Sequence, residues 1–404
     1  MGNLIRILVA DDSSVTRRIV TESISAEQDL EIVGAATDGN EAVAFFKAQS
    51  PDVVMLDVDM PNLNGIGALK AIRAMNDSVP IIMFSTLTVK GGEATLDALS
   101  AGATDYAAKP TGVGHLDKAI QYLRSEVIPK LRTWGKRYKD RHEKKSAAPT
   151  ITRETTPSIQ SAPIATPSPV ASAPPASLRG SSSFTINTPK ITTPAMPSTT
   201  PRRRGGAVSV LAIGSSTGGP NALAELIGLL PGDLGIPVVI VQHMPPVFTQ
   251  LLAERLDRGS RLKVREGMDG APLRANEVWI APGDFHMTVS REGTDTLIRT
   301  NQQAPENSCR PAVDVLFRSV ANVYGNQALA AVLTGMGRDG TAGCQVLQKC
   351  GATIYAQDEA SSVVWGMPRS VAEAGLADSV LNLKDMAAAI VTRIRGSQAA
   401  LVNA

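Results

Sequence analysis

The chain has 404 residues and a formal net charge of +2, with 43% hydrophobic and 19% charged residues. That length predicts two or three domains, and the hydrophobic fraction is enough for ordinary globular cores. No stretch of about 18 apolar residues occurs, so we expect no membrane insertion. The amino terminus lacks a secretory hydrophobic region, and the three cysteines (Cys309, Cys344 and Cys350) are not paired as C-x-x-C. These features predict a cytoplasmic protein with reduced thiols and no cysteine metal site.

Strand-like and helix-like segments alternate through a first predicted domain, residues 1–130. The predicted strands are residues 5–10, 31–35, 53–56, 80–84 and 106–108. The predicted helices are residues 14–25, 39–48, 65–74, 92–100 and 115–128. Five strand–helix units indicate a doubly wound parallel sheet, in which ligands bind beyond the carboxyl ends of the strands.

Polar residues follow these strands at the same predicted edge of the sheet. Asp11 and Asp12 follow the first strand, Asp57 the third, Ser85 the fourth and Lys109 the fifth. Clustered carboxylates repel one another unless a cation binds, and oxygen ligands suit Mg²⁺. Mg²⁺ would neutralise an incoming phosphoryl group, which makes Asp57 the candidate nucleophile. The alternative is that the acidic residues only cap helices.

The segment LDVDMPNLNG around Asp57, together with the other residues of this edge, resembles the receiver domain of two-component response regulators. The resemblance implies that a histidine kinase phosphorylates Asp57. The metal-binding positions that it implies are Asp11 (through water), Asp12, Asp57 and the main-chain carbonyl of Asp59. The switch positions that it implies are Ser85, Tyr106 and Lys109.

Residues 131–206 have the composition of a linker. A basic run at 136–145 precedes a tract rich in Pro, Ser, Thr and Ala, with 11 prolines between Pro149 and Pro201. Few large apolar residues are present, so we expect disorder. This basic run and the second one at 202–204 belong to no recognisable binding fold, and we expect no nucleic-acid binding.

A second α/β sheet domain is predicted at residues 207–398, followed by a short tail at 399–404. Residues 208–213 and 237–242 are predicted strands, and residues 277–283 and 328–337 are each predicted to be a strand that enters a turn. The predicted helices are residues 220–230, 247–257, 313–324, 341–350 and 386–394. The sequence GSSTG at 214–218 fits G-x-S-x-G at a strand-to-helix turn, which can present the Ser216 hydroxyl to a substrate. Two other interpretations stay open: an anion-binding turn at a helix N-terminus, and a turn that only packs tightly.

A nucleophilic serine needs a base, and the chain has four histidines. His142 lies in the predicted linker and His115 opens a predicted receiver helix. His243 directly follows a predicted strand, at the same edge as the Ser216 turn. His286 lies in a turn, where bracing a loop is the simpler role, and we therefore favour His243.

The imidazole of a catalytic histidine also needs an orienting carboxylate. Asp339 lies in a glycine-rich loop after a predicted strand. An aspartate there is more often a turn residue or helix cap, and only convergence with Ser216 and His243 favours catalysis. The order Ser, His, Asp differs from that of α/β-hydrolases, which predicts the same chemistry on a different fold.

The segments IGSSTGG, QHMPP, IAPGDFHM, LTGMGRDGTAG and DEASSVVWGMP are similar to the catalytic domain of chemotaxis protein-glutamate methylesterases, which also deamidate glutamine. The resemblance implies that Ser216 is the nucleophile, His243 the general base and acid, and Asp339 the orienting acid. It also implies that the main-chain N–H groups of Thr217 and Met336 bind the oxyanion.

We therefore expect two doubly wound α/β domains, a flavodoxin-like receiver and a methylesterase domain, joined by a long disordered linker. The resemblance implies methyl-accepting chemotaxis receptors as substrates, a chemotaxis histidine kinase as phosphoryl donor, Mg²⁺ in the receiver and no cofactor at the esterase site. We expect a monomer whose unphosphorylated receiver covers the entrance to the serine. The alternatives are a non-enzymatic response regulator that binds a partner protein, and a hydrolase acting on another methylated or acylated protein.

Overall fold

The computed structural model describes residues 4–110, 116–146 and 206–402. Most of the tract that we predict to be disordered lies at 147–205, outside these residues, as does the predicted helix start at His115. Within the described residues, no helix combines the length and the hydropathy that crossing a membrane requires.

The N-terminal domain is built on a five-stranded parallel sheet. Its strands are β1 (Ile5–Ala10), β2 (Leu30–Ala36), β3 (Val53–Asp57), β4 (Ile81–Ser85) and β5 (Asp105–Ala108). Their order is β2-β1-β3-β4-β5. Strands β3 and β4 are buried at every position, as expected when helices cover both faces of a parallel sheet. The predicted doubly wound architecture is confirmed for this domain.

Four helices of this domain begin behind a side chain that caps their free N–H groups. They are α1 (Ser14–Ser25), α2 (Gly39–Gln49), α3 (Gly65–Met75) and α4 (Val89–Ser100), capped by Ser13, Asp38, Asn64 and Thr88. Helix α4 starts earlier than predicted because Thr88 provides the cap. Gly92 then lies inside the helix, where an added Cβ would be 2.5 Å from Leu251 of the C-terminal domain. That glycine allows the two domains to approach closely.

The last helix of the N-terminal domain is longer than predicted. It runs through α5 (Leu116–Tyr122), a π-helical turn (Leu123–Val127) and α6 (Ile128–Ser146). Leu131 and Trp134 are buried, and Gly135 brings α6 against β1 and β3, since a Cβ there would be 2.2 Å from Ile5. The predicted boundary at residue 130 and the interpretation of 136–145 as a linker are therefore wrong.

The C-terminal domain contains a second parallel sheet and a separate hairpin. The sheet strands are β6 (Val210–Ser215), β7 (Val238–Gln242), β8 (Lys263–Glu266), β9 (Glu277–Ile280), β12 (Ala328–Val332), β13 (Thr353–Gln357) and β14 (Ser379–Leu381). The hairpin strands are β10 (His286–Glu292) and β11 (Asp295–Asn301). The seven sheet strands lie in the order β14-β13-β12-β6-β7-β9-β8. The parallel-sheet prediction is confirmed, although β8, β11, β13 and β14 had not been predicted as separate strands.

Helices pack on this sheet and on the N-terminal domain. They are α7 (Gly219–Leu229), α8 (Phe248–Gly259), α9 (Val313–Tyr324), α10 (Thr341–Lys349), α11 (Met367–Glu373) and α12 (Leu383–Val402). Helix α12 extends to Val402, so the prediction of a tail from residue 399 is wrong. Helix α4 of the N-terminal domain packs against α7 and α8. The two domains therefore share an interface built largely from these three helices.

Three central strands end at one edge of the second sheet. Strand β6 lies between β12 and β7, with Gly214 in register with Val332 and Ser215 in register with Gln242. The residues that follow these three strands therefore begin close together. This edge contains the candidate site.

Trp134 provides a test of the corrected domain boundary. Its ring is 5% exposed and its indole N–H donates to Asp105 at 3.3 Å. Replacing Trp134 by alanine in the full chain should lower the free energy of unfolding of the N-terminal domain by about 3 kcal/mol or more, because a large buried ring is lost. Urea unfolding followed by circular dichroism measures the change. The matched variant Lys136→Ala, at an exposed position of the same helix, should change it by less than about 0.5 kcal/mol. Equal stabilities of the two variants would contradict the packing of α6.

Candidate active site

Ser216 lies in the turn between β6 and α7. Its main-chain N–H donates to the carbonyl of Thr334 at 3.0 Å, and its own carbonyl accepts from Gly219 at 2.8 Å. Gly218 has a φ of +77°, and an added Cβ would be 2.4 Å from Val363, so this position requires glycine. The turn holds Ser216 half-buried at the carboxyl edge of the sheet.

His243 follows β7 on the neighbouring strand. Its main-chain N–H donates to the carbonyl of Ser215 at 3.1 Å, which continues the pairing of β6 with β7 beyond the strands. The imidazole Nε2 lies 2.7 Å from Oδ2 of Asp339, and the side chain is 13% exposed. The imidazole therefore keeps Nδ1 for other partners.

Asp339 is 2% exposed and is held by a set of main-chain donors. Oδ2 accepts from the N–H of Val313 at 2.6 Å, and Oδ1 accepts from the N–H groups of Asp314 at 3.0 Å and Gly340 at 2.9 Å. Val313 and Asp314 open α9, where free N–H groups favour a negative charge. The N-terminus of α9 therefore fixes this carboxylate with one oxygen toward His243.

A second carboxylate lies behind Asp339. Asp314 is 3% exposed and accepts from the N–H of Gly343 at 2.6 Å. The Asn307 amide nitrogen donates to both carboxylates, at 2.9 Å to Asp314 and 2.9 Å to Asp339. The sequence patterns identify neither Asp314 nor Asn307 as a site residue. Their role depends on contacts between distant segments, which no local pattern reveals.

The charges of these groups shift one another's pKa values. Burial disfavours a charged imidazole, but the hydrogen bonds to Asp339 and Cys309 outweigh it and raise the pKa of His243 above its usual range. Burial also opposes the charge on Asp339, yet the bond to His243 and the main-chain donors hold the pKa of Asp339 below its ordinary value. Burial, and then the charge of Asp339, raise the pKa of Asp314. The buried carboxylate therefore stabilises the imidazolium that His243 becomes when it accepts a proton.

Cys309 lies beside the imidazole. Its Sγ is 3.5 Å from Nδ1 of His243, in the same cleft. The sequence predicts this cysteine only to be a reduced thiol, and all three cysteines are free in the structure.

Ser216 Oγ makes no hydrogen bond to any described residue. A hydrogen bond between a nucleophile and its base is often long before substrate binds. Because Nε2 of His243 faces Asp339, Nδ1 is the nitrogen that can accept the proton of Ser216.

Two main-chain N–H groups near the serine have no hydrogen-bond partner in the described parts of the chain. They belong to Thr217, which follows Ser216, and to Met336, in the loop after β12. Ser216, Thr217 and Met336 all line one cleft of about 660 Å³. Unpaired donors beside a nucleophile are suited to binding a developing oxyanion.

The N-terminal domain forms the other wall of this cleft, with Tyr106, Tyr122, Glu126 and Lys130. The Tyr106 ring stacks on Phe248 with centroids 5.5 Å apart, and its hydroxyl donates to the carbonyl of His243 at 3.4 Å. The opening to Ser216 is therefore shared between the two domains.

A second contact between the domains lies at the loop after β13. Arg137 on α6 donates to the main-chain carbonyls of Ser362, at 2.8 Å, and of Val363. Val363 packs against the Gly218 position of the serine turn. Helix α6, which the sequence analysis placed in a linker, thus contacts the loop that supports the candidate nucleophile.

The predicted phosphorylation site lies at the carboxyl edge of the first sheet. Asp11, Asp12 and Asp57 offer oxygens within 4.8 Å of one another. Lys109 Nζ lies 2.7 Å from Asp57 and 2.8 Å from Asp11. Burial raises the pKa of Asp57 to about 6, against the opposing effect of Lys109. This all-oxygen, acidic set fits Mg²⁺.

The remaining predicted residues take the following places. Ser85 Oγ donates to the carbonyl of Gly91 at 3.0 Å, and the N–H of Asp59 donates to Asp57 at 3.3 Å. His286 is 1% exposed and opens β10, where its ring nitrogens lie 3.1 Å from the carbonyl of Ala304 and 3.3 Å from the N–H of Ala312. His286 therefore contacts the segment between β11 and α9, which agrees with its predicted role of bracing a loop.

The dependence of His243 on Asp339 can be measured directly. Asp339→Asn removes the charge that stabilises the imidazolium, so the pKa of His243 should fall by about 1 to 3 pH units. In the wild type, that pKa should lie above the ordinary value of about 6.5. NMR titration of the histidine ring signals gives both values. The control Asp269→Asn removes an aspartate that contacts Arg299 and Thr300 and should leave the titration unchanged. An unchanged pKa in Asp339→Asn would contradict the pairing.

Comparison with known proteins finds family matches for both domains and relatives that match nearly the whole chain. The family model "CheB methylesterase" matches residues 211–390, and "Response regulator receiver domain" matches residues 7–121. A protein named protein-glutamate methylesterase/protein-glutamine glutaminase from Trichodesmium erythraeum is 42% identical, over 96% of this chain and 99% of its own length. One of the same name from Nocardioides sp. is 44% identical, over 99% of this chain and 98% of its own length. The crystal structure of the Thermotoga maritima CheB methylesterase catalytic domain is 41% identical, covers 46% of this chain and 98% of that chain, and has a TM-score of 0.45. The chain belongs to the family of protein-glutamate methylesterases/protein-glutamine glutaminases.

Proposed function

We propose that this protein hydrolyses γ-methyl esters of glutamyl side chains and deamidates glutaminyl side chains on chemotaxis receptors, with Ser216, His243 and Asp339 as the catalytic triad. The observation that carries the proposal is the 2.7 Å contact of His243 with Asp339 at the wall of the cleft that also contains Ser216. A neutral imidazole oriented by a buried carboxylate is the base that a serine nucleophile needs. The names of full-length relatives agree with this chemistry.

In the first half of the reaction, Ser216 Oγ attacks the ester carbonyl carbon. Nδ1 of His243 takes the hydroxyl proton, while Nε2–H donates to Asp339. The N–H groups of Thr217 and Met336 hold the oxyanion, and one such donor contributes about 3 to 4 kcal/mol. The imidazolium then returns its proton to the leaving oxygen, methanol departs, and an acyl-enzyme remains.

Water completes the reaction through the same groups. His243 takes a proton from the water, whose oxygen attacks the acyl carbon. When the ester bond to Ser216 breaks, the serine oxygen regains a proton from His243 and a glutamate is released. With a glutamine substrate, ammonia leaves in place of methanol. This chemistry needs no cofactor at the esterase site.

We further propose that a chemotaxis histidine kinase phosphorylates Asp57 and so controls the hydrolase. Asp11, Asp12 and Asp57 would hold Mg²⁺, which neutralises phosphoryl charge when bound; the main-chain carbonyl of Asp59 stays a predicted ligand. Lys109 contacts Asp57 and directly follows β5, the strand that contains Tyr106. Phosphorylation of Asp57 would therefore displace Lys109, and β5 would transmit that displacement to Tyr106.

The docked N-terminal domain would restrict access to the serine while Asp57 is unphosphorylated. The docking depends on the stacking of Tyr106 on Phe248 and on the main-chain contacts of Arg137. Weakening of these contacts on phosphorylation would widen the cleft. A cytoplasmic location and a monomeric state remain predictions.

Two alternative functions can be distinguished from the proposed one by experiment. A response regulator that only binds a partner would need no paired imidazole and carboxylate, and the buried donors around Asp339 argue against it. A hydrolase acting on another methylated protein would use the same residues. The release of methanol from methyl-labelled receptors separates these functions.

The proposed nucleophile can be tested with Ser216→Ala. Methanol release from methyl-labelled receptors should fall by at least about 10⁴-fold, because a triad without its nucleophile retains only oxyanion and binding effects. Gas chromatography or vapour-phase transfer of the labelled methanol measures the rate. The control Ser209→Ala changes a half-buried serine before β6 and should keep wild-type turnover. Retention of turnover in Ser216→Ala would overturn the assignment.

Regulation can be tested with Asp57→Asn. A phosphoryl donor should raise the methanol-release rate of the wild type by about tenfold, within the usual range of coupling between sites, and should not change the rate of Asp57→Asn. The control Asp77→Asn, at an exposed position of the same domain, should be activated normally. Equal rates of the wild type with and without phosphorylation would contradict the proposed control.

A further inference from the structure

Gln242 is the last residue of β7, directly before His243, and its side chain is 1% exposed. It is not among the residues that line the cleft. Its amide nevertheless connects the segments that follow β6 and β7, which contain the nucleophile and the base. Oε1 accepts from Ser215 Oγ at 2.7 Å. Nε2 donates to the carbonyl of Ser216 at 2.9 Å and to the carbonyl of His243 at 3.1 Å.

All the hydrogen-bonding groups of this amide are therefore in use. A primary amide has two N–H donors, and both point to main-chain carbonyls of proposed catalytic residues. We infer that Gln242 is a positioning residue for ester hydrolysis, which holds the turn of Ser216 and the loop of His243 at a fixed separation. This inference rests on the proposed function. Gln242 itself touches no reacting atom.

The separation matters because Ser216 and His243 follow different strands, β6 and β7. Serine has a single side-chain torsion before its oxygen, so the main chain decides where Oγ can lie. A displacement of about 1 Å between reacting groups can reduce turnover on the order of 100-fold. A rigid amide that bonds both main chains limits that displacement.

Two neighbours of Gln242 fix the orientation of its amide. The two main-chain carbonyls can only accept, so the amide nitrogen must face them, and the hydroxyl of the fully buried Ser215 then donates to Oε1 and anchors it. Gly219 leaves room for the amide, since an added Cβ would be 1.9 Å from Oε1. The first serine and the last glycine of SSTGG thus support a bridge that the G-x-S-x-G motif does not describe.

The His243 carbonyl also accepts from the N-terminal domain, through the Tyr106 hydroxyl at 3.4 Å. Movement of Tyr106 on phosphorylation would remove that bond. The shorter bond from Gln242 would remain and would keep the His243 loop in place when the cleft opens. The bridge therefore serves the activated enzyme as well as the docked one.

Gln242→Glu tests the inference, because glutamate has nearly the same shape but lacks the two N–H donors. Methanol release by the phosphorylated full chain should show kcat reduced on the order of 100-fold, with KM unchanged, since Gln242 does not line the cleft. Ser215→Ala keeps both donors and loses only the bond that anchors Oε1. It should reduce kcat about fivefold, the effect of one neutral hydrogen bond.

Ser397→Ala is the matched control. Ser397 is 9% exposed, and its hydroxyl donates to the carbonyl of Ile394 at 2.7 Å. It accepts from the N–H of Val208, which precedes the amino end of β6, at 3.0 Å. It should lose stability and keep wild-type kcat. A Gln242→Glu variant whose kcat matches the control, or whose KM rises at constant kcat, overturns the inference. If Gln242→Glu does not fold, an unchanged kcat in Ser215→Ala overturns it. A wild type that releases no methanol overturns the proposed function instead.

Discussion

The Asp339 carboxylate is the constraint on which the active site depends. A charge that is 2% exposed is costly unless donors surround it, and the first N–H groups of α9 provide them. With those donors in place, one oxygen remains directed at His243. The orientation of the imidazole, and hence the nitrogen available to Ser216, follows from where α9 begins.

The same physical rule places both functional sites of the molecule. In each parallel sheet, polar residues that follow neighbouring strands meet at the carboxyl edge. In the first sheet this edge contains Asp57, and in the second it contains Ser216 and His243. The domains dock with β5 near the second site, where the Tyr106 hydroxyl donates to the carbonyl of His243. The proposed regulation thus depends on contact between two similar edges.

The sequence was sufficient to predict those residues that directly follow strands. His243 and Asp57 were found in this way, and Ser216 through the G-x-S-x-G motif of its turn, since strand patterns, neighbouring polar residues and short motifs are all local features. Gln242 was not found, because a buried amide at a strand end resembles any other core residue until its partners are known. Asn307 was missed for the same reason, since its two carboxylate partners lie at Asp314 and Asp339.

The boundary of the N-terminal domain was misjudged for a different reason. The basic composition of residues 136–145 indicated a solvated linker. In the structure, Leu131 and Trp134 are three residues apart, at helical spacing, and form the buried face of α6. Composition averaged over a window conceals such a narrow apolar face. The boundary matters for the proposed function, because α6 also positions Arg137 against the loop that supports the serine turn.

The most direct test of the central claim is the identity of the residue that becomes covalently modified during turnover. A serine-directed fluorophosphonate, added to the phosphorylated protein, should form one adduct in the C-terminal domain, and peptide mass spectrometry should locate it at Ser216. His243→Ala should abolish the labelling, because the hydroxyl then has no base. An adduct on another residue, or labelling that persists without His243, would contradict the account.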